Sequence, residues 1–160
     1  MRQLALAAAA LFVLAIPVRA DEEKVPLDKV PKAIMETVKK RFPKAEVAGA
    51  SKEETADKKT VYEIELKQDG KTTDVTLTPE GVITLIEMEI DAKDVPKAVA
   101  ETFETKYPKG KFTYKIIEAV YSVKDGKETL DYYEAHVLDG DKKEHEIELM
   151  TYGKIKEAKK

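Results

Sequence analysis

The sequence predicts an α+β fold of two tandem repeats, each a helix followed by about four antiparallel strands, joined in one two-layer domain with an open sheet face. Three observations carry the prediction. The segment from Val30 to Lys44, VPKAIMETVKKRFPK, returns sixty-five residues later from Val95 to Lys109 as VPKAVAETFETKYPK, with eight of fifteen positions identical. Downstream of both blocks the apolar period shortens from about 3.6 residues to about 2. The second halves also match: Tyr62-Glu63, Asp69-Gly70 and Gly81 are echoed by Tyr133-Glu134, Asp139-Gly140 and Gly153, with an insertion between them.

In chain order, residues 1–20 stand outside that fold. Arg2, an apolar run from Leu4 to Ile16, Pro17 and Val18-Arg19-Ala20 have the order of a secretory signal cleaved after Ala20. A retained membrane anchor is the alternative, but the run is short for a span and no second apolar segment follows. The expected product starts at Asp21, has no membrane span after cleavage, and is a periplasmic or secreted bacterial protein. Its repeats occupy 21–90 and 91–160 and share a joint domain, because a unit of about 65 residues has only a small core of its own.

Each repeat opens with an amphipathic helix. Val30, Ala33, Ile34, Val38 and Phe42 recur at helical spacing, as do Val95, Ala98, Val99, Phe103 and Tyr107. Pro31 and Pro96 suit a first helical turn, Asp94 is placed to cap the second helix, and Pro43 and Pro108 stop the helices near Phe42 and Tyr107. The strands follow. The first of each set is weak around Glu46 to Ser51 and clearer from Phe112 to Val123. Asp69-Gly70 then closes a hairpin that pairs Leu66 with Thr73, Ile64 with Val75 and Tyr62 with Leu77. Gly81 turns the chain into a strand from Val82 to Ile90.

One helix per four strands shields only one face of a sheet, and the other is where function is expected. On an unbulged strand Ile83 and Leu85 have the opposite parity from Ile86, Met88 and Ile90. Ile83 and Leu85 are therefore candidate partner-binding residues, together with the amphipathic Tyr114, Tyr121 and Tyr132. Parity also places His145 inward with Ile147 and Leu149, and His136 outward with Tyr132 and Glu134. The two histidines are thus not a cross-strand pair, and an odd-length loop through Asp139-Gly140-Asp141 is preferred.

Composition excludes several classes. Removing Arg2 and Arg19 takes the 28 basic residues to 26 against 31 acidic ones, moving the net charge from −3 to −5, which disfavours nucleic acid and anionic membranes. Cysteine is absent, so there is no disulfide, thiolate nucleophile or thiolate zinc site. Ser51 and Ser122 are the only serines, and no phosphate-binding glycine loop or His-Glu-x-x-His pattern occurs. The chain is read as a non-enzyme without a cofactor. His136 with Glu134, Glu144 and Glu146 offers a divalent-metal set on the open face, to be weighed against a solvated acidic face, and no metal ligand is assigned.

A helix ending in Phe/Tyr-Pro, then Tyr-Glu alternation, Asp-Gly-Lys, further alternation and a glycine before the last strand resembles the PepSY-like, putative β-lactamase-inhibitor-like family of exported bacterial proteins, over Val25 to about Lys156. The resemblance implies tandem helix-plus-four-strand units with a sheet that serves as a binding surface. PepSY domains of secreted metallopeptidase propeptides carry an inferred inhibitory or chaperoning role. The expected function is therefore that of an exported inhibitor or chaperone-like binder of a protein or peptide, such as a secreted peptidase. A small-ligand or divalent-metal-binding envelope protein is the alternative.

Overall fold

Alternating apolar residues draw the strands into one antiparallel sheet. The computed structural model describes residues 23–55 and 57–156, so the signal expected at 1–20 lies outside the described residues. The elements run β1 (Glu23–Lys24), α1 (Lys32–Arg41), β2 (Glu46–Glu54), β3 (Thr60–Gln68), β4 (Lys71–Leu77), β5 (Ile83–Glu89), α2 (Lys97–Lys106), β6 (Thr113–Lys124), β7 (Lys127–Leu138) and β8 (Glu144–Met150). All eight strands are neighbours in sequence order, β1 to β8. The predicted hairpin register is present, with Leu66 opposite Thr73, Ile64 opposite Val75 and Tyr62 opposite Leu77.

The strand count differs from the prediction at both ends. The first repeat has four strands after its helix, whereas the second has three, and its fourth is reduced to a bridge between Leu149 and Ile155. Lys154-Ile155-Lys156 carries a single apolar residue where β5 carries Ile83, Leu85, Ile86 and Met88, so little drives it to extend. An additional edge strand, β1, pairs Glu23 with Lys52 and Lys24 with Ser51.

The helices stop where expected, at Phe42 and Tyr107, but begin differently. Pro31 and Pro96 occupy the N-cap positions rather than the first turn. The Pro31 carbonyl accepts from the Ile34 and Met35 amides at 3.0 and 3.3 Å. Asp94 does not cap α2; it ends a 3-10 turn, Ala92–Asp94, which repeats the turn Leu27–Lys29 before α1.

Both helices lie on the same face, and each covers its own core. Ile34 and Val38 of α1 pack with Ile64, Leu66, Val75, Leu77 and Ile86. Their repeat equivalents Val99 and Phe103 of α2 pack with Ala119, Tyr133, Ala135, Ile147 and Leu149. Tyr121, opposite Ile86 across the β5–β6 ladder, packs against both clusters.

The repeats also share a close approach of turn to helix. Gly81 and Gly153 have φ of +81° and +85°, and a Cβ there would lie 2.6 Å from the Ala33 carbonyl oxygen and 2.5 Å from that of Ala98. Gly126 has φ +75° but nothing within 4 Å. Urea unfolding should therefore show Gly126→Ala losing about 1 kcal/mol through backbone conformation, while Gly81→Ala and Gly153→Ala each lose about 2 kcal/mol or more through conformation and clash. Equal losses at all three positions would contradict the close-packing role.

Candidate functional site

The face of the sheet away from α1 and α2 is built by the outward residues of β3 to β8, and register decides which of them meet. Glu65, Asp74 and Glu87 lie opposite one another across β3, β4 and β5. Glu89, Glu118, Glu134 and Glu148 form a second row across β5, β6, β7 and β8. Beside it, Glu87 is followed by Val120, Tyr132 and Met150. Glu87, Glu118 and Glu134 are only 7%, 5% and 4% exposed. Like charges opposite one another on neighbouring strands are unfavourable, and burial raises the cost further.

His136 supplies much of the compensation. Its Nε2 lies 2.7 Å from a Glu134 oxygen and 3.7 Å from one of Glu118, and its Nδ1 lies 3.3 Å from Glu144. Ionised carboxylates only accept hydrogen bonds, so an imidazole donating from both nitrogens is the charged form. The hydrogen bond to Glu134, working against burial and helped by the charges of Glu134, Glu146 and Glu118, raises the His136 pKa to about 9. Against the cost of burial, Lys115 and His136 hold the Glu144 carboxyl below its usual range. The Thr72 amide donates to Glu89 at 2.9 Å. Burial, and then the charges of Glu148, Glu134, Glu87 and Glu146, push the Tyr132 hydroxyl far above the ordinary phenol range.

Among the described residues, two sets of groups on this face converge closely enough to hold a cation. The ligand atoms of Glu118, Glu134 and His136, and those of Glu134, Glu146 and Glu148, lie within 4.8 Å of one another. Oxygen-rich sets suit hard divalent ions. The set anticipated from sequence, Glu134, Glu144, Glu146 and His136, is thus redistributed, with Glu118 entering from β6. His145 lies on the other face, opposite Val137, and pairs with Asp139 at 2.7 Å. His136 is opposite Glu146, so the two histidines do not pair across the strands, as parity indicates.

The five candidate partner-binding residues divide between the faces. Leu85, opposite Thr76 and Ser122, and Tyr132 are on the open face. Ile83 is not: a register shift between Thr76 and Leu77 brings it opposite Leu77 and against the first core, and the Thr84 hydroxyl donates to the Thr76 carbonyl within the bulge. Tyr114 is also on the helix side, donating to the Tyr107 carbonyl at 3.0 Å with its ring edge-on to Phe103. Tyr121 lies between the two cores. The carboxylate row escapes sequence reading, because the β5–β6 register is set across an intervening helix.

Comparison with known proteins gives this architecture a family. Two overlapping stretches, residues 17–85 and 71–157, match the family described as putative beta-lactamase-inhibitor-like, PepSY-like. The chain belongs to the PepSY-like family. No curated protein matches the sequence. The fold is similar to that of a putative periplasmic protein from Bacteroides eggerthii, at 17% identity over 80% of this chain and 86% of that one, with a TM-score of 0.59. It is also similar to a BLIP-like protein from Bacteroides fragilis, at 17% identity over 78% and 82%, with a TM-score of 0.50. Among the described residues of this PepSY-like chain, no helix is long and apolar enough to cross a membrane.

The His136 contacts predict a definite pH dependence. A folded pKa of about 9 lies above the unfolded value near 6.5, so the stabilisation is complete below about pH 6.5 and is lost as pH rises through about 9. Urea unfolding should show a loss on the order of 3 kcal/mol across that window. His136→Gln should be less stable at pH 6 and lack this component of the pH dependence. Identical pH profiles for the two proteins would contradict the imidazolium assignment.

Proposed function

We propose that the chain is an exported, non-catalytic binding protein that receives a protein or peptide partner on its open sheet face. The mature protein begins at Asp21, after a signal at 1–20, and works in the periplasm or outside the cell. Its repeats, 21–90 and 91–160, act as one joint domain of two helix-and-strand units. The beta-lactamase-inhibitor-like description of the family and the periplasmic description of the Bacteroides eggerthii protein support this reading.

The observation that carries it is the in-register row Glu89, Glu118, Glu134 and Glu148, on a face that neither helix covers. Four acids side by side lower the stability of the isolated sheet, and folding alone supplies no reason for them. Polar function does. An inhibitor or chaperone-like binder uses such a face for a protein surface. A second reading, a divalent-metal-binding envelope protein, is favoured by the convergence of Glu134, Glu146 and Glu148.

Leu85 separates binding from folding. It is half-buried opposite Thr76 and Ser122 and outside both core clusters. Immobilised mature protein should retain a specific envelope protein that Leu85→Asp retains at least about tenfold less well, while the variant loses no more than about 1 kcal/mol of stability. Undiminished capture by the variant would contradict the binding face. A calcium-dependent rise in melting temperature without protein capture would select the metal-binding reading.

A further inference from the structure

The open face holds a cation supplied by the chain itself. After β8 the backbone turns at Gly153 and returns along the sheet edge, where Ile155 bridges to Leu149 and the Lys156 amide donates to the Glu148 carbonyl at 2.9 Å. This lays the Lys156 side chain across the face. Its Nζ lies 3.3 Å from the centroid of the Tyr132 ring and 2.7 Å from a Glu148 oxygen. Tyr132 stands opposite Val120, which is completely buried, so the ring has a fixed apolar support. An ammonium over an aromatic face with a carboxylate beside it is a general way to grip a lysine or arginine, whose aliphatic stem can lie on apolar surface.

Building on the binding role given to this face above, we propose that Tyr132 and Glu148 form a cradle for a lysine or arginine side chain presented by a partner protein, and that Lys156 occupies it as an internal competitor. Charge complementarity selects the partner: the cradle borders Glu118 and Glu134, so an incoming cation meets further carboxylates, whereas an acidic segment is repelled. The competitor sits at the edge of the sheet, past the packed part of its own tail. The tail beyond Met150 is anchored at Gly153, whose carbonyl accepts from the Thr102 hydroxyl at 2.9 Å, and at Ile155, which packs on the second core, whereas the Lys156 backbone beyond them is held by its amide bond to the Glu148 carbonyl. Such an edge segment opens far more easily than a central strand. Exchanging one cation for another keeps the cradle filled and requires only the Lys156 side chain to swing out. A divalent ion held by Glu134, Glu146 and Glu148 would leave the Tyr132 ring unused, since an aromatic face is not a metal ligand of this class.

The test uses the mature chain and three small probes at constant ionic strength: N-acetyl-lysine methylamide, its arginine counterpart and its norleucine counterpart. Nuclear magnetic resonance follows the Tyr132 ring and the Glu148 carboxyl. The lysine and arginine probes should shift both signals and the norleucine probe should not. Lys156→Met, which keeps the stem and removes the charge, should bind the lysine probe about three- to tenfold more tightly than the parent. Glu148→Gln should weaken binding in the Lys156→Met background while retaining the native spectrum elsewhere. Equal affinity in parent and Lys156→Met, or equal binding of the norleucine probe, would each overturn the cradle. The partner-capture result with Leu85→Asp stands apart from these outcomes, so the cradle can fail while the binding face holds.

Discussion

The ladder between β5 and β6 sets Ile86 opposite Tyr121, Glu87 opposite Val120 and Met88 opposite Ala119, and so joins the last strand of one repeat to the first strand of the next. Each repeat carries a helix and its own apolar cluster, yet neither is a closed unit at this edge. An unpaired β5 or β6 would expose a row of backbone donors and acceptors. Pairing them removes both edges, and Tyr121 then fills space against both clusters. The same ladder also shapes the open face, because it places Glu89 beside Glu118 and extends the β6–β8 acids into β5.

The two faces of the sheet obey different rules as a result. On the helix side, the repeats have equivalent solutions: Ile34 and Val38 match Val99 and Phe103, and a left-handed glycine meets the carbonyl of Ala33 or Ala98 at the start of each helix. On the open side the repeats have diverged. The first presents Glu63 and Glu65 against Thr76 and Asp74, whereas the second gathers Glu118, Glu134, Glu146 and Glu148 around His136 and Tyr132. A duplicated scaffold with an unequal outer surface accords with the binding role proposed above, since the helix-side cores repeat while the outer side chains differ.

Local signals in the sequence were sufficient for much of this. The Asp69-Gly70 hairpin determines its own register, Pro43 and Pro108 end the helices, and the alternation of β7 and β8 assigns His136 and His145 to opposite faces. The missed features depend on irregularity or on distant pairing. A register shift at Thr76/Leu77 turns Ile83 inward, one at Tyr114/Ile116 interrupts the alternation of β6, and one at Val120/Tyr121, which passes over Asp131, interrupts that of β7. Tyr114 and Tyr121 look amphipathic and are used as core. The row from Glu89 to Glu148 requires knowing how β5 meets β6 across a connection containing α2, which hydrophobic period alone does not specify.

Native-state hydrogen exchange across that ladder tests the central claim most directly. If the repeats form one sheet whose acidic face is continuous, the ladder amides of β5 and β6 exchange only through global unfolding, with the same free energy as those of β3 and β7. Exchange of the β5 and β6 amides through a smaller opening, while β3 and β7 stay protected, would show that the repeats part at this seam and that the carboxylate row is not a single surface.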